Sequence, residues 1–293
     1  MAIYITNIAA MQARRHFNNA TARVNTALQR LASGLRINSA KDDPAGLQIS
    51  NRLTAQINGY KQANRNTADG QAFAQTYEGA LDETVNMLQK IRTIAIQSAN
   101  GTYTSEDRKA MQAEVDALSE EITRIAEQTK FGGKTILLGD QSTMLDNGFM
   151  TLQVGAYADD TISIDLTQSF KLDDIYAALP NNNGSVVNGS FTVDTADGAK
   201  NVLADIDAMI GIVDAQRGEI GALQVRLDSV MRLNENMTAN LSDARSRIRD
   251  TDYAEESANL MEASILQQAS LAMMMQANAQ GNIILQLING ARI

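Results

Sequence analysis

From Ile206 to Ile248 a seven-residue recurrence runs without a break through Ile206, Val213, Ile220, Leu227, Asn234, Leu241 and Ile248, and Leu223, Val230, Met237 and Ala244 fill the intermediate seam. Seven residues are close to two helical turns, so a stripe sustained this long stays on one side of a helix and predicts a long coiled-coil helix that needs partners of matching length. Arg217, Gln224 and Asn234 interrupt or flank the stripe. A polar residue there lowers stability and either fixes register against a partner or is a tolerated position at the seam's edge.

Partners are available within the chain. Met111, Val115, Leu118, Ile122 and Ile125 form a one-face stripe that ends before Gly132 and Gly133, a pair read as a helix stop. Thr104 and Ser105 ahead of Glu106 and Asp107 mark its start, because a hydroxyl and early carboxylates satisfy the free N–H groups of a helix N-terminus. A third stretch runs through Leu81, Val85, Leu88, Ile91 and Ala95 and stops near Asn100-Gly101. Only Pro44 and Pro180 could interrupt long helices, and with aromatics at 4% and no Trp the core must come from Ala, Leu, Ile, Val and Met. The fold class predicted is mainly α: a long antiparallel bundle or coiled coil built from the N- and C-terminal halves, carrying a small β-hairpin region.

That hairpin is predicted where Leu152 and Val154, then Ile162, Ile164 and Leu166, alternate with polar residues around a turn at Ala158-Asp159-Asp160. Asn181 to Ser185 reads as a loop, and Phe191 with Val193 as a short strand. The two chain ends carry narrower stripes, Phe17, Val24, Leu28, Leu31 and Leu35 at one end and Met261, Ile265, Ala272 and Met275 at the other. Helices with so little apolar surface are marginal alone in water, so these ends are expected to order against each other or against other copies.

The residues argue against several functions. Twenty-five Lys and Arg against 34 Asp and Glu give a net charge of -9, which disfavours nucleic acid because phosphate binding needs a basic stripe. No Cys is present, which removes disulfides, thiolate metal sites and a cysteine nucleophile. The single His16 sits in a stretch rich in Arg and Asn and reads as a surface or subunit-contact residue, not a ligand. Asp42 and Asp43, being adjacent, point apart, and with Pro44-Ala45-Gly46 behind them they read as a turn. Gly132-Gly133-Lys134-Thr135 lacks the glycine spacing of a phosphate loop. Met273-Met274-Met275 reads as packing between subunits, and the Asn-x-Ser/Thr triplets at Asn183 and Asn188 as chance. No catalytic residue, cofactor site or metal site is predicted. No apolar run reaches membrane-span length, and Met1 to Gln12 lack the charge and cleavage site of a signal peptide, so the residues alone predict a cytosolic protein with no membrane partner.

The segment Arg30 to Gly46, RLASGLRINSAKDDPAG, closely resembles the N-terminal hallmark of the bacterial flagellins. The resemblance continues through Leu47 to Leu53, Ala80 to Ala99 and Gln128 to Gly133, and returns at Leu241 to Tyr253, LSDARSRIRDTDY, and Ile265 to Ala269, ILQQA. It covers nearly the whole chain in order. It implies a structural subunit that polymerises into the flagellar filament for swimming, with residues 1–40 and 255–293 as an inner terminal coiled coil and residues 41–180 and 191–254 as an outer helical bundle. The stretch 181–190 is all that stands in place of variable outer domains, which implies a slim filament. Lys41 to Gly46 would form part of the spoke between the two domains.

The resemblance further implies a homopolymer, export through the type III apparatus with a chaperone, contacts with the filament cap and hook-associated proteins, and an extracellular place despite the missing signal peptide. Subunit contacts are expected at Leu28, Leu31, Leu35, Met261, Ile265 and Met275. The family's Toll-like receptor 5 patch maps to Leu88, Gln89, Lys90, Arg92 and Ile94 with Glu114. Lys90 stands where strongly recognised members carry Arg and lacks the planar two-pronged hydrogen bonding of a guanidinium. The ending Ile283 to Ile293 replaces the family's usual Leu-Leu-Arg. Two alternatives are a hook-filament junction protein and an intracellular coiled-coil adaptor, and the matches at Arg30 to Gly46 and Ser242 to Tyr253 favour flagellin over both.

Overall fold

The computed structural model describes residues 6–180 and 183–290, with side chains as far as residue 279. The ending from Ile283 lies in the last helix as far as Gly290, and its side chains fall outside the described residues, as do Asn181 and Asn182 of the predicted loop. The chain divides into two compact units, residues 58–238 and residues 1–57 with 239–293.

Three helices supply the central unit: α2 (Pro44–Ala99), α3 (Ser105–Gln128) and α5 (Ala196–Arg249). They share one apolar core in which Leu81, Leu88, Ile91, Val115, Ile122, Ile206, Val213, Ile220 and Leu227 are buried, so the stripes read from the sequence are the packed faces. Burying each such side chain contributes roughly 1.5–3 kcal/mol over leaving it in water, which explains helices far longer than local propensity supports. Helix α5 runs antiparallel to α2. Asp207 accepts from Arg92 (2.6 Å), Arg217 pairs with Asp82 (2.9 Å) and Gln224 donates to Glu78 (2.8 Å), one register step after another. Arg217 and Gln224, which flank the heptad stripe, thus hold α5 in register against α2.

Helix α3 begins with a reciprocal capping box. The Thr104 hydroxyl accepts from the Asp107 N–H (3.3 Å), while the Asp107 carboxylate accepts from the Thr104 hydroxyl (2.7 Å) and N–H (2.9 Å). The Thr104 hydroxyl, and after it the Thr104 N–H, hold the Asp107 carboxyl below its ordinary value. At its other end α3 stops at Gln128, ahead of Gly132 and Gly133. The glycine pair is not the helix stop. It takes positive φ values of 57° and 84° in the turn of a tight hairpin between β1 (Lys130–Phe131) and β2 (Lys134–Thr135). A two-residue turn with both residues left-handed suits the twist of the flanking strands, and Gly-Gly supplies it without strain.

The turn read at Asp42 and Asp43 is present, and Pro44-Ala45-Gly46 behind it form the first turn of α2. Proline fits there because its fixed φ suits a helix start and its missing N–H would be unpaired anyway. The Asp43 carboxylate accepts from the Gly46 N–H (2.9 Å), and Asp42 accepts from the N–H groups of Ser39 (2.8 Å) and Asn38 (3.1 Å). Those N–H groups, Ser39 first, hold the Asp42 carboxyl below its ordinary value.

The predicted hairpin is β3 (Phe149–Gln153) paired antiparallel with β4 (Thr161–Asp165), with Leu152 opposite Ile162 and Met150 opposite Ile164. Strand alternation buries Leu152, Ile162 and Ile164. Two glycines on α2 let the hairpin lie close to that helix: a Cβ at Gly70 would stand 2.5 Å from Leu152, and one at Gly59 would stand 2.9 Å from the Ala156 Cβ. Eleven residues separate them, three helical turns, so both open the same face. Asn66 from α2 and Asn234 from α5 donate to the carbonyls of Gln153 (3.1 Å) and Val154 (2.8 Å). Asn234 therefore secures the hairpin and is not a register residue between helices.

A short helix α4 (Leu172–Ala177) and a third hairpin, β5 (Val186–Val187) with β6 (Ser190–Phe191), complete the unit. Asn188 and Gly189, at φ 54° and 78°, make the β5–β6 turn. The segment before β5 is tied down by buried Asp205, whose carboxylate accepts from the Asn183 side chain (2.8 Å) and the Ser185 hydroxyl (2.6 Å). The short stretch 183–190 is thus an anchored element of the bundle.

Candidate functional site

The terminal unit carries the surface that the sequence points to. Helix α1 (Ile8–Ser33) and helix α6 (Tyr253–Gly290) lie antiparallel, because Asn7 donates to the Ala277 carbonyl (2.7 Å), Gln267 to Thr21 (2.9 Å) and Arg30 to Glu256 (3.4 Å). Helix α1 ends on Gly34, left-handed at φ 71°, whose N–H donates to the Arg30 carbonyl (2.8 Å). Beyond it Leu35 bridges to Asp250, the Arg36 N–H donates to the Arg249 carbonyl (2.7 Å) and the Thr251 N–H to the Gly34 carbonyl (3.0 Å). The Asp252 carboxylate then caps α6 by accepting from the Ala254 N–H (2.8 Å).

The fully buried apolar positions of the seam between α1 and α6 are small residues. Ala13, Ala20 and Ala27, spaced by seven, are buried on α1, and Ala263 and Ala277, fourteen apart, are buried on α6. Of the expected stripes, Phe17, Val24 and Leu31 are half-buried at positions alternating with the alanines of α1, whereas Leu28, Met261 and Ile265 are exposed and lie outside the seam. Alanine permits close approach of two helices but removes little apolar area from water, so the pair is held modestly. The Arg23–Glu262 ion pair adds little, being 3.5 Å long with both side chains 59% exposed to water.

Several large apolar side chains are left outside. Leu28 is 50% exposed, Ile265 66%, Met261 71% and Met275 60%. Leu31 and Leu35 are half-buried, Leu35 lying past the end of α1. Sequence reasoning missed Ile8, Met11 and Leu271, which are exposed on the same two helices as Met273. It also missed the alanine seam, whose signal was the seven-residue spacing of Ala13, Ala20 and Ala27. His16 is exposed on α1 and lines a groove of about 300 Å³ with Ala13, Leu266, Ala269 and Met273. A run of exposed large apolar side chains on a structured helix pair marks an interaction surface.

The six residues mapped to the receptor patch lie on α2 and α3 of the central unit and are not equally presented. Leu88 and Ile94 are buried in the core, Arg92 is half-buried and engaged by Asp207, and Gln89, Lys90 and Glu114 are exposed.

The family models and the curated relatives agree on a family. Residues 5–142 match the model of the bacterial flagellin N-terminal helical region, and residues 203–288 that of the C-terminal helical region. Flagellin A of Vibrio anguillarum is 35% identical over 373 aligned residues, covering 97% of this chain and 98% of that protein. Flagellin B of Vibrio cholerae serotype O1 is 34% identical over 375, covering 98% of this chain and all of that one. Both alignments are longer than the 293 residues here, so those relatives carry residues with no counterpart in this chain. The crystal structure of Bacillus cereus flagellin is 24% identical and covers 58% of this chain and 88% of its own, with a TM-score of 0.48. The chain belongs to the bacterial flagellin family, and it is a structural subunit of the flagellar filament, not an enzyme.

Proposed function

We propose that apolar residues on and beside α1 and α6, Leu28, Leu31, Leu35, Met261, Ile265 and Met275 among them, are the contacts through which copies of this chain polymerise. One observation carries the reading: the helix pair fully buries alanines and leaves Leu28, Met261, Ile265 and Met275 half or more exposed. Burying such a side chain against a neighbouring copy contributes roughly 1.5–3 kcal/mol, and each copy repeats the contact, so the polymer is stabilised by surface the lone subunit cannot cover. On this reading residues 1–40 and 255–293 line the inner tube of the filament and residues 41–180 and 191–254 form its outer wall, without protruding variable domains. The subunit leaves the cell through the flagellar export apparatus, delivered by a chaperone, and adds beneath the filament cap with hook-associated proteins at its base.

The test is Ile265→Asp, chosen because Ile265 is 66% exposed and makes little of the subunit's own core. The expected outcome is unchanged helical circular dichroism and thermal melting, with filaments absent by electron microscopy. Filaments of normal length and abundance would overturn the assignment. Recognition by Toll-like receptor 5 is proposed to be weak, because of the mapped residues only Gln89, Lys90 and Glu114 are exposed and Lys90 replaces the family's Arg. Lys90→Arg should raise receptor signalling by purified subunit, and an unchanged signal would count against that patch.

A further inference from the structure

The methionines are distributed unevenly. Met11 is 60% exposed, Met261 71%, Met273 61% and Met275 60%, and all four stand on the terminal helices α1 and α6. In the central unit Met209 and Met111 are buried and Met87, Met144, Met150 and Met231 are half-buried, leaving Met237, at 37%, as its most exposed methionine among the described residues. The chain has no cysteine, so the thioethers are its only oxidisable sulfur and no thiol competes for the oxidant.

We propose that Met11, Met261, Met273 and Met275 form an oxidation site that decides whether a subunit can enter the polymer, the oxidant being a peroxide. A thioether sulfur attacks one peroxide oxygen, an S–O bond forms as the O–O bond breaks, sulfur loses two electrons to give the sulfoxide, and the second oxygen leaves as water after proton transfer. The product is polar and chiral where the methionine was apolar and adaptable, and it disfavours burial against a neighbouring copy. None of the four fills the subunit's core, so the modified chain stays folded. The inference rests on the assembly reading above. It adds that free subunits are open to the reagent while polymerised ones, with these side chains covered, are shielded, and that a sulfoxide reductase reverses the block.

The experiment treats purified full-length subunit, and separately assembled filaments, with hydrogen peroxide, maps sulfoxides by peptide mass spectrometry and follows polymerisation by sedimentation. In the free subunit Met11, Met261, Met273 and Met275 should oxidise first, Met237 more slowly, and Met111 and Met209 last. Circular dichroism should not change, polymerisation should be lost, and treatment with methionine sulfoxide reductases A and B should restore it. In filaments the four should oxidise at least tenfold more slowly. The quadruple variant carrying Leu at 11, 261, 273 and 275 keeps apolar volume, so it should polymerise before and after peroxide, while Met237→Leu should leave the sensitivity unchanged. Normal polymerisation of a chain bearing all four sulfoxides, or equal oxidation in subunit and filament, would overturn the proposal. Failure of the untreated subunit to polymerise would sink the assembly reading itself, and the proposal with it; the peptide map of the free subunit separates the two by showing independently whether these sulfurs are the reactive ones.

Discussion

At the scale of single residues, polar side chains do more positional work than the apolar pattern reveals. Asn234 occupies a heptad position where an aliphatic residue would pack, yet its amide is buried and donates to the Val154 carbonyl at 2.8 Å. Asn234→Ala would leave that carbonyl without its donor in a buried site, and we expect a loss of about 1–3 kcal/mol by denaturant unfolding. A change of a few tenths would mean that water replaces the amide. Asp205 repeats the theme, one buried carboxylate collecting hydrogen bonds from Asn183 and Ser185. Neither role is legible in the sequence, because a long-range hydrogen bond leaves no periodic trace.

At the scale of elements, glycines in α2 separate two effects that a propensity table merges. Gly79 is exposed with open space where a Cβ would go, whereas at Gly59 a Cβ would stand 2.9 Å from Ala156. Gly79→Ala should therefore raise stability by about 1 kcal/mol through helix propensity. Gly59→Ala should lose that gain or reverse it, since forcing a methyl into a packed contact costs about 1–3 kcal/mol. Thermal melting of the two variants checks the contrast, and equal shifts would show that the hairpin yields freely. Much at this scale was readable: the stripe through Leu81, Leu88 and Ile91, the heptad from Ile206 to Leu227, the Thr104 start and the β3–β4 alternation are all realised. The burial of Leu88 was implicit in its own stripe. The buried alanines escaped because Ala scores as weakly apolar, so the eye goes to Leu and Met, of which Leu28, Met261 and Met275 face outward here. The role of Gly132-Gly133 escaped because glycine ends helices and turns hairpins alike, and only the flanking pairing distinguishes the two.

At the scale of the molecule, charge is unevenly divided. Residues 58–238 hold 14 Lys and Arg against 26 Asp and Glu, while residues 1–57 with 239–293 hold 11 against 8, so the acidity lies in the central unit. On the proposed arrangement, with the central units side by side in the outer wall, those units repel one another. Raising salt from 10 to 150 mM shortens the screening length from about 30 Å to about 8 Å. The concentration of free subunit left beside filaments should therefore fall over that range, as read by sedimentation. A rise would show that attraction between opposite charges dominates. The stitch formed by Leu35 with Asp250 and by Thr251 with Gly34 has a kinetic meaning as well. Because α1 and α6 leave the same short junction, each meets the other as a tethered neighbour at an effective concentration in the millimolar range, whatever the dilution of the protein. Contacts between copies have no tether. Diluting the protein would thus dissolve a filament while leaving every helix pair closed, so growth has a threshold that pairing lacks.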